Sequence, residues 1–222
     1  MMPDKTAAFI LGSSRKKKNT YVFARSLMKA FEKRDYNPKI LNSIDNDKEL
    51  SDSFIQTVET ADIICILTPL YADFLPSHLI RVLELLQNSS TRRSLKGKRL
   101  FGFSQCAFPF YRLNECSIKS MEIFARKTGM QWMGGLMCGG AGMMDCEALE
   151  EMGKKGKKMI KALDMSAEQI VKGEKVPEEA QKLLIVNLPR FLKRPVTWFI
   201  NRNVRKIEKE IGKDLEREAY LE

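Results

Sequence analysis

Between Leu11 and Tyr21 the chain reads Gly12-Ser13-Ser14-Arg15-Lys16-Lys17-Lys18-Asn19-Thr20, a small, polar and basic loop after a short apolar run. The loop opens onto a helical pattern. Backbone N–H groups and the positive end of a helix attract an anion. Ser13, Ser14, Asn19 and Thr20 add side-chain donors, and Arg15 adds charge. A phosphate is the natural guest. No Gly-Lys-Ser or Gly-Lys-Thr closes the loop, so it is not the nucleoside-triphosphate loop, and it is not G-x-G-x-x-G either. The plainer alternative is a strand-to-helix turn in which Asn19 or Thr20 caps the helix. Other chemistry is sparse. His78, the only histidine, stands at the start of a helix and reads as a surface or capping residue. No HExxH and no C-x-x-C occurs, so no metal site is expected.

The elements that must position this loop follow from hydrophobic spacing. Thr6 to Leu11 reads as a strand. From Thr20 to Arg34, Phe23, Leu27, Ala30 and Phe31 recur at helical spacing. Asn37-Pro38 reads as a break before a short strand over Lys39 to Asn42. Leu50, Phe54, Ile55 and Val58 suit a helix within Asp45 to Glu59. Asp62 to Leu67 is nearly continuous in apolar residues, the pattern of a central parallel strand covered on both faces. A third helix carries Leu79, Val82, Leu83 and Leu86, a polar and basic connection spans Asn88 to Lys98, and Arg99 to Ser104 is a fourth strand. Ile118, Met121, Phe124 and Ala125 mark a helix that Gly129 can stop. Gln131 to Cys138 is the fifth strand, followed by the turn Gly139-Gly140-Ala141-Gly142 and a helix from about Asp145 to Leu163. Strands alternating with helices imply a doubly wound parallel sheet, and five strands favour the flavodoxin-like order 2-1-3-4-5. Ligands in such sheets bind beyond the carboxyl ends of the strands. That selects the loops after Leu11, Leu67 and Ser104.

A chain of 222 residues with 44% hydrophobic content suits one main domain, expected over residues 1–165, with a helical extension over 166–222. The N-terminus lacks the layout of a signal peptide, and no run of eighteen apolar residues occurs. Five scattered cysteines fit a reducing, cytoplasmic setting. The formal charge of +10 bears on partners rather than fold. Lys154, Lys155, Lys157, Lys158 and Lys161 read as a solvated helix face. In the extension, Pro177 opens a helical stretch. Leu183 to Val186, Phe191, Trp198, Phe199 and Ile200 then mix with Arg190, Lys193, Arg194 and Arg202. This segment suits core packing or an oligomer contact, with docking on an anionic membrane as the lesser reading, because two prolines interrupt it. Val204, Ile207, Ile211, Leu215 and Ala219 form one helical stripe. No nucleic-acid motif accompanies the charge, so no nucleic-acid partner is expected.

The first loop resembles that of the NAD(P)H-dependent FMN reductases and related flavodoxin-fold oxidoreductases, commonly G-S-P-R-x-x-G-N-T. Gly12, Ser13, Arg15, Asn19 and Thr20 are in register, while Ser14 replaces the proline and Lys18 the glycine. The second loop, Thr68-Pro69-Leu70-Tyr71-Ala72-Asp73-Phe74-Leu75-Pro76, resembles the family's S/T-P-x-Y segment, which in relatives contacts the flavin ring. Pro69 fixes the turn, and the N–H groups that follow, through Leu70 and Ala72, are expected to be free for the ring, with Tyr71 as an aromatic surface. The third loop, from Ser104, Gln105 and Cys106 to Tyr111, is expected to cover the flavin's other side. A hydrophobic plug or subunit contact suits Phe108, Phe110 and Tyr111 equally. Cys106 reads as a small hydrophobe rather than a redox group.

The resemblance spans roughly Thr6 to Leu163. It implies bound FMN, NAD(P)H as co-substrate, a quinone, flavin or other small acceptor, and a homodimer or higher homo-oligomer. The alternative is an FMN-bound electron carrier without nicotinamide turnover, whose basic balance would suit an acidic partner. Some relatives carry an iron-sulfur cysteine cluster between the second and third strands. Asn42 to Ile63 contains no cysteine, so no cluster is expected.

Overall fold

The structure, a computed structural model, describes residues 5–15, 18–88, 90–144 and 148–185, together with residues 195, 198, 202 and 205. Five parallel strands form one sheet: β1 (Lys5–Leu11), β2 (Tyr36–Asn42), β3 (Ile63–Pro69), β4 (Arg99–Gln105) and β5 (Gln131–Cys138), in the order β2-β1-β3-β4-β5. This is the order that strand count and alternation predict. All seven residues of β3 are buried, as a strand covered on both faces requires. β2 begins earlier than the sequence suggests, because Pro38 pairs with Ala7 inside the strand instead of breaking the chain before it. β2 lies at the sheet edge, where a residue without an N–H is tolerated.

The longer helices are α1 (Asn19–Glu32), α2 (Asp52–Thr60) and α3 (Ser77–Asn88). A one-turn helix, α4 (Arg92–Leu95), stands in the basic connection, and α5 (Glu115–Thr128), α6 (Gly153–Lys172) and α7 (Glu178–Leu184) complete the set. Two apolar cores flank the sheet. α1, α6 and α7 pack Phe23, Leu27, Met159, Leu163, Ile170 and Leu184 over one face. α2, α3 and α5 pack Phe54, Val58, Leu79, Val82 and Met121 over the other. α2 is capped by Ser51, whose hydroxyl accepts the Phe54 N–H at 3.3 Å. α5 ends at Gly129 with φ 74°, the left-handed turn expected of a glycine stop.

Two expectations about the second half change. The helix expected from Asp145 to Leu163 starts at Gly153 and runs to Lys172. Residue 165, expected as a domain boundary, therefore lies inside α6. Ile170, Ala180 and Leu184 are all buried in the same core as β1 and α1. By contacts the chain divides instead into Met1–Val186 and Asn187–Glu222. Leu184 is a core residue, in line with the packing reading of its segment. In the second unit the Arg202 guanidinium lies 5.4 Å from the centre of the Trp198 ring. The expected helical stripe from Val204 to Ala219 lies outside the described residues. Among the described residues no helix is long and apolar enough to cross a membrane.

Candidate cofactor site

At the carboxyl ends of β1, β3 and β4 is a cavity of about 350 Å³, lined by residues from all three predicted loops. Ser13, Arg15, Asn19 and Thr20 come from the first, Pro69, Leu70 and Tyr71 from the second, and Gln105 and Cys106 from the third. Lys18, Ala107, Gly142 and Met144 complete the lining. No acidic residue is among them.

Gly12 sets the first loop. Its N–H donates to Leu67 O at 2.8 Å, and a Cβ there would meet Thr68 Oγ1 at 2.6 Å and Leu79 Cδ2 at 2.7 Å. Only glycine lets the backbone come this close to β3. The Ser13 hydroxyl then accepts the Arg15 N–H at 3.2 Å and donates to Arg15 O at 3.1 Å, closing the turn on itself. Lys18 is the N-cap of α1, in extended backbone without a side-chain cap. Its carbonyl accepts the N–H groups of Tyr21 and Val22. The N–H groups of Asn19 and Thr20, in the first turn, have no acceptor among the described residues. They stand with Arg15 and Lys18 at the positive end of α1, an anion-binding arrangement.

The side chains of Asn19 and Thr20, besides lining the cavity, bond across the fold. Asn19 Nδ2 donates to Ala141 O at 2.5 Å, tying α1 to the turn after β5. Thr20 is buried and its hydroxyl accepts from Gln105 Nε2 at 3.4 Å, tying α1 to β4. These bonds hold the loop, while backbone and cations face the cavity.

The second loop also differs from expectation. Leu70 N–H donates to Gln105 O at 2.8 Å and Tyr71 N–H to Phe74 O at 3.0 Å, so neither is free. Phe74 N–H returns to Tyr71 O, making a two-residue hairpin whose tip, Ala72 and Asp73, has φ of 46° and 59°. Positive φ at both positions is the geometry of a type I′ turn. Ala72 is thus a turn residue and does not line the cavity. The hairpin leaves Tyr71 and Phe74 exposed, and Tyr71 Oη lies 3.5 Å from Ser14 Oγ, which is that serine's place in the site.

In the third loop Ser104 is fully buried and donates to Asn114 Oδ1 at 2.8 Å, beneath the cavity rather than in its wall. Asn114 Nδ2 also donates to Tyr111 O and Cys106 Sγ, and Cys106 Sγ donates to Phe108 O at 3.3 Å. Burial pushes the Cys106 thiol up, with the Asn114 bond opposing. Cys138, deeper, is pushed up to about 12 by burial. Phe108 and Phe110 are exposed, so they form no plug. His78 stands in the first turn of α3 but is buried, not on the surface, and its Nε2 has no hydrogen-bond partner among the described residues. Among the described residues no three His, Cys, Asp or Glu side chains gather as a metal site.

Residues 6–135, more than half of the chain, match the family described as NADPH-dependent FMN reductase. The chain belongs to that family. It is an FMN-dependent oxidoreductase. No curated protein matches it in sequence. Among solved structures, RosB with bound 8-demethyl-8-formylriboflavin 5′-phosphate aligns at TM-score 0.58 and 13% identity, over 89% of this chain and 87% of that one. The NAD(P)H:quinone oxidoreductase of Methanothermobacter marburgensis aligns at 0.56 and 10%, over 76% and 98%. An FMN-dependent NADH-azoreductase from Bacillus anthracis, in complex with FMN, aligns at 0.53 and 11%, over 75% and 99%. At these identities the likeness is one of fold. The donor set fits FMN: Arg15, Lys18 and the first-turn N–H groups of α1 suit a phosphate, and Pro69 and Tyr71 offer surface for an aromatic ring.

Proposed function

We propose that the chain accepts hydride from NAD(P)H on FMN held in this cavity and passes the electrons to a quinone, a free flavin or another small acceptor. The observation that carries this reading is the convergence of three strand-to-helix loops on one cavity whose lining includes Arg15, Lys18 and the exposed Tyr71. FMN supplies the hydride-transfer chemistry; the chain supplies binding, orientation and electrostatics. In this reading Arg15, Lys18 and the N–H groups of Asn19 and Thr20 hold the phosphate, and Pro69, Leu70 and Tyr71 support one side of the ring. Gln105 and Cys106 close the other side. Ser13, Ser14, Ala72 and Ser104 fix the loops that carry them. Exposed Tyr71, Phe74, Phe108 and Phe110 on the second and third loops support a homo-oligomer contact near the mouth.

The test is a visible spectrum with added FMN, followed by anaerobic stopped-flow mixing with NADPH and with NADH. Bound flavin that bleaches with either nicotinamide and recovers on adding menadione is the expected result. Absence of a flavin spectrum and of thermal stabilisation at about 50 μM FMN, a concentration far above a micromolar Kd, overturns it. Flavin that binds but is never reduced by nicotinamide makes the chain a carrier instead.

A further inference from the structure

α6 opens with five lysines in eight residues, Lys154, Lys155, Lys157, Lys158 and Lys161, and no acidic residue stands in its first turn. Lys154, Lys157, Lys158 and Lys161 stand at i, i+3, i+4 and i+7, so they share one face, and all four are exposed. Like charges at those spacings repel, and they sit at the end of the helix whose dipole is already positive. Nearby acids are committed elsewhere: Glu150 to Lys29 at 3.0 Å, Asp164 to Arg34 at 2.9 Å and Glu168 to Lys172 at 2.6 Å. None of the five lysines has an ion-pair partner within 4 Å among the described residues. The neighbouring helix α1 adds Arg25. Among the described residues this concentration of one sign is left without a paired acid.

The face begins at the cavity end of the sheet, because α6 follows the loop after β5 whose Gly142 and Met144 line the cavity. Arg15 and Lys18 extend the same sign into the cavity wall. Two other anionic surfaces fit less well. The large exposed hydrophobic residues include none on α1 or α6, so the face has no apolar wedge for a membrane and no aromatic platform for stacked bases.

We propose that this face docks an acidic one-electron carrier protein, which exchanges electrons with the cofactor. This rests on the FMN oxidoreductase reading. Two docking events, each delivering one electron, together with a proton from water, are equivalent to the hydride from a nicotinamide. No covalent bond is needed between the proteins. Complementary charge chiefly speeds encounter, so the signature is a salt-dependent rate.

The probe is a plant-type [2Fe–2S] ferredoxin, tested against the FMN-loaded full chain and the variant Lys154→Gln/Lys157→Gln/Lys158→Gln/Lys161→Gln. Reduced ferredoxin should reduce the flavin at a second-order rate that falls about tenfold or more between about 50 and 500 mM salt, and by a similar factor in the variant, as for electrostatically steered pairs. Oxidised ferredoxin should bind the wild-type chain, with or without FMN, more tightly than the variant. Removing the repulsion should leave the variant's melting temperature equal or higher. NADPH-driven menadione reduction should be the same in both. Equal, salt-independent ferredoxin rates and binding overturn the proposal, as does a quadruple-variant loss seen only with anionic vesicles or RNA. Failure of menadione turnover and flavin binding in the wild type overturns the underlying enzyme reading instead, while the ferredoxin binding comparison still judges the surface.

Discussion

The side chain absent at Gly12 matters as much as those present around it. A methyl group there would press on Thr68 Oγ1 and Leu79 Cδ2, and Thr68 is fixed by its hydroxyl donating to Pro69 O at 2.9 Å. Gly12→Ala should therefore destabilise the protein by about 1–3 kcal/mol, the usual cost of overpacking, and weaken FMN binding by displacing the first loop. Paired thermal melts with and without FMN check this; an unchanged melting temperature would show that β1 and β3 can part here freely. The cysteines give a second residue-scale expectation. Burial raises the Cys106 and Cys138 thiols, which lowers their thiolate fraction at any pH below the raised value, and both are enclosed. Cys116 is exposed. Iodoacetamide at pH 8 should label Cys116 well before Cys106 or Cys138, as read by mass spectrometry of digested protein, since thiolate and access govern the rate.

Elements were legible where one local pattern decided them. The continuous apolar run at β3, the glycine stop of α5 and the bounds of β5 follow from short-range sequence. α6 was not, because Leu149 and Met152 continue its helical spacing while Gly153 has φ 56° and ψ −128°, outside the helical region. Gly156 then packs against Leu149 O, so the chain turns sharply before the helix begins. In the site, loop identity was legible, but the roles of Asn19, Thr20, Leu70 and Ser104 were not. Each is set by a partner distant in sequence: Ala141, Gln105 or Asn114. Gly142 and Met144 reach the cavity for the same reason. One such contact between elements is testable by pH. Arg34, just beyond α1, donates to Asp164 of α6, and this bond holds the Asp164 carboxyl below its usual range. A lowered folded pKa contributes stability above the unfolded value of 3.8, and that contribution is lost as pH falls through the folded value. The pair is partly exposed, so it is worth less than about 1 kcal/mol. Asp164→Asn should lower the melting temperature at pH 7, with the difference from wild type shrinking towards zero as the pH drops through the acid range below 4.

At the scale of the whole molecule, the question is where the flavin-binding unit ends. The change in sequence character near Met165 suggests one place, and the packing another. Ala167, Ile170, Ala180 and Leu184 lie beyond residue 165, yet each is at most 2% exposed and all belong to the core that α1 and β1 share. Two further bonds join α7 to β5: Gln181 Oε1 accepts from Met137 N at 2.8 Å, and its Nε2 donates to Met137 O at 2.9 Å. Gln181 thus pairs with the outer edge of β5 as an added strand would, satisfying a donor and an acceptor that the sheet leaves open. Ending the chain at 165 exposes the partners of Ile170 and Leu184, at about 1.5–3 kcal/mol for each lost side chain, and leaves the β5 edge unpaired. Against a net stability of about 5–15 kcal/mol for a domain, that loss is decisive. Residues 1–186 should fold cooperatively and retain FMN affinity, whereas residues 1–165 should be aggregated or molten and fail to bind FMN. Circular dichroism melts and FMN titration of the two fragments check this. A fully folded, flavin-binding 1–165 fragment would mean that α7 and the second half of α6 decorate a core complete without them.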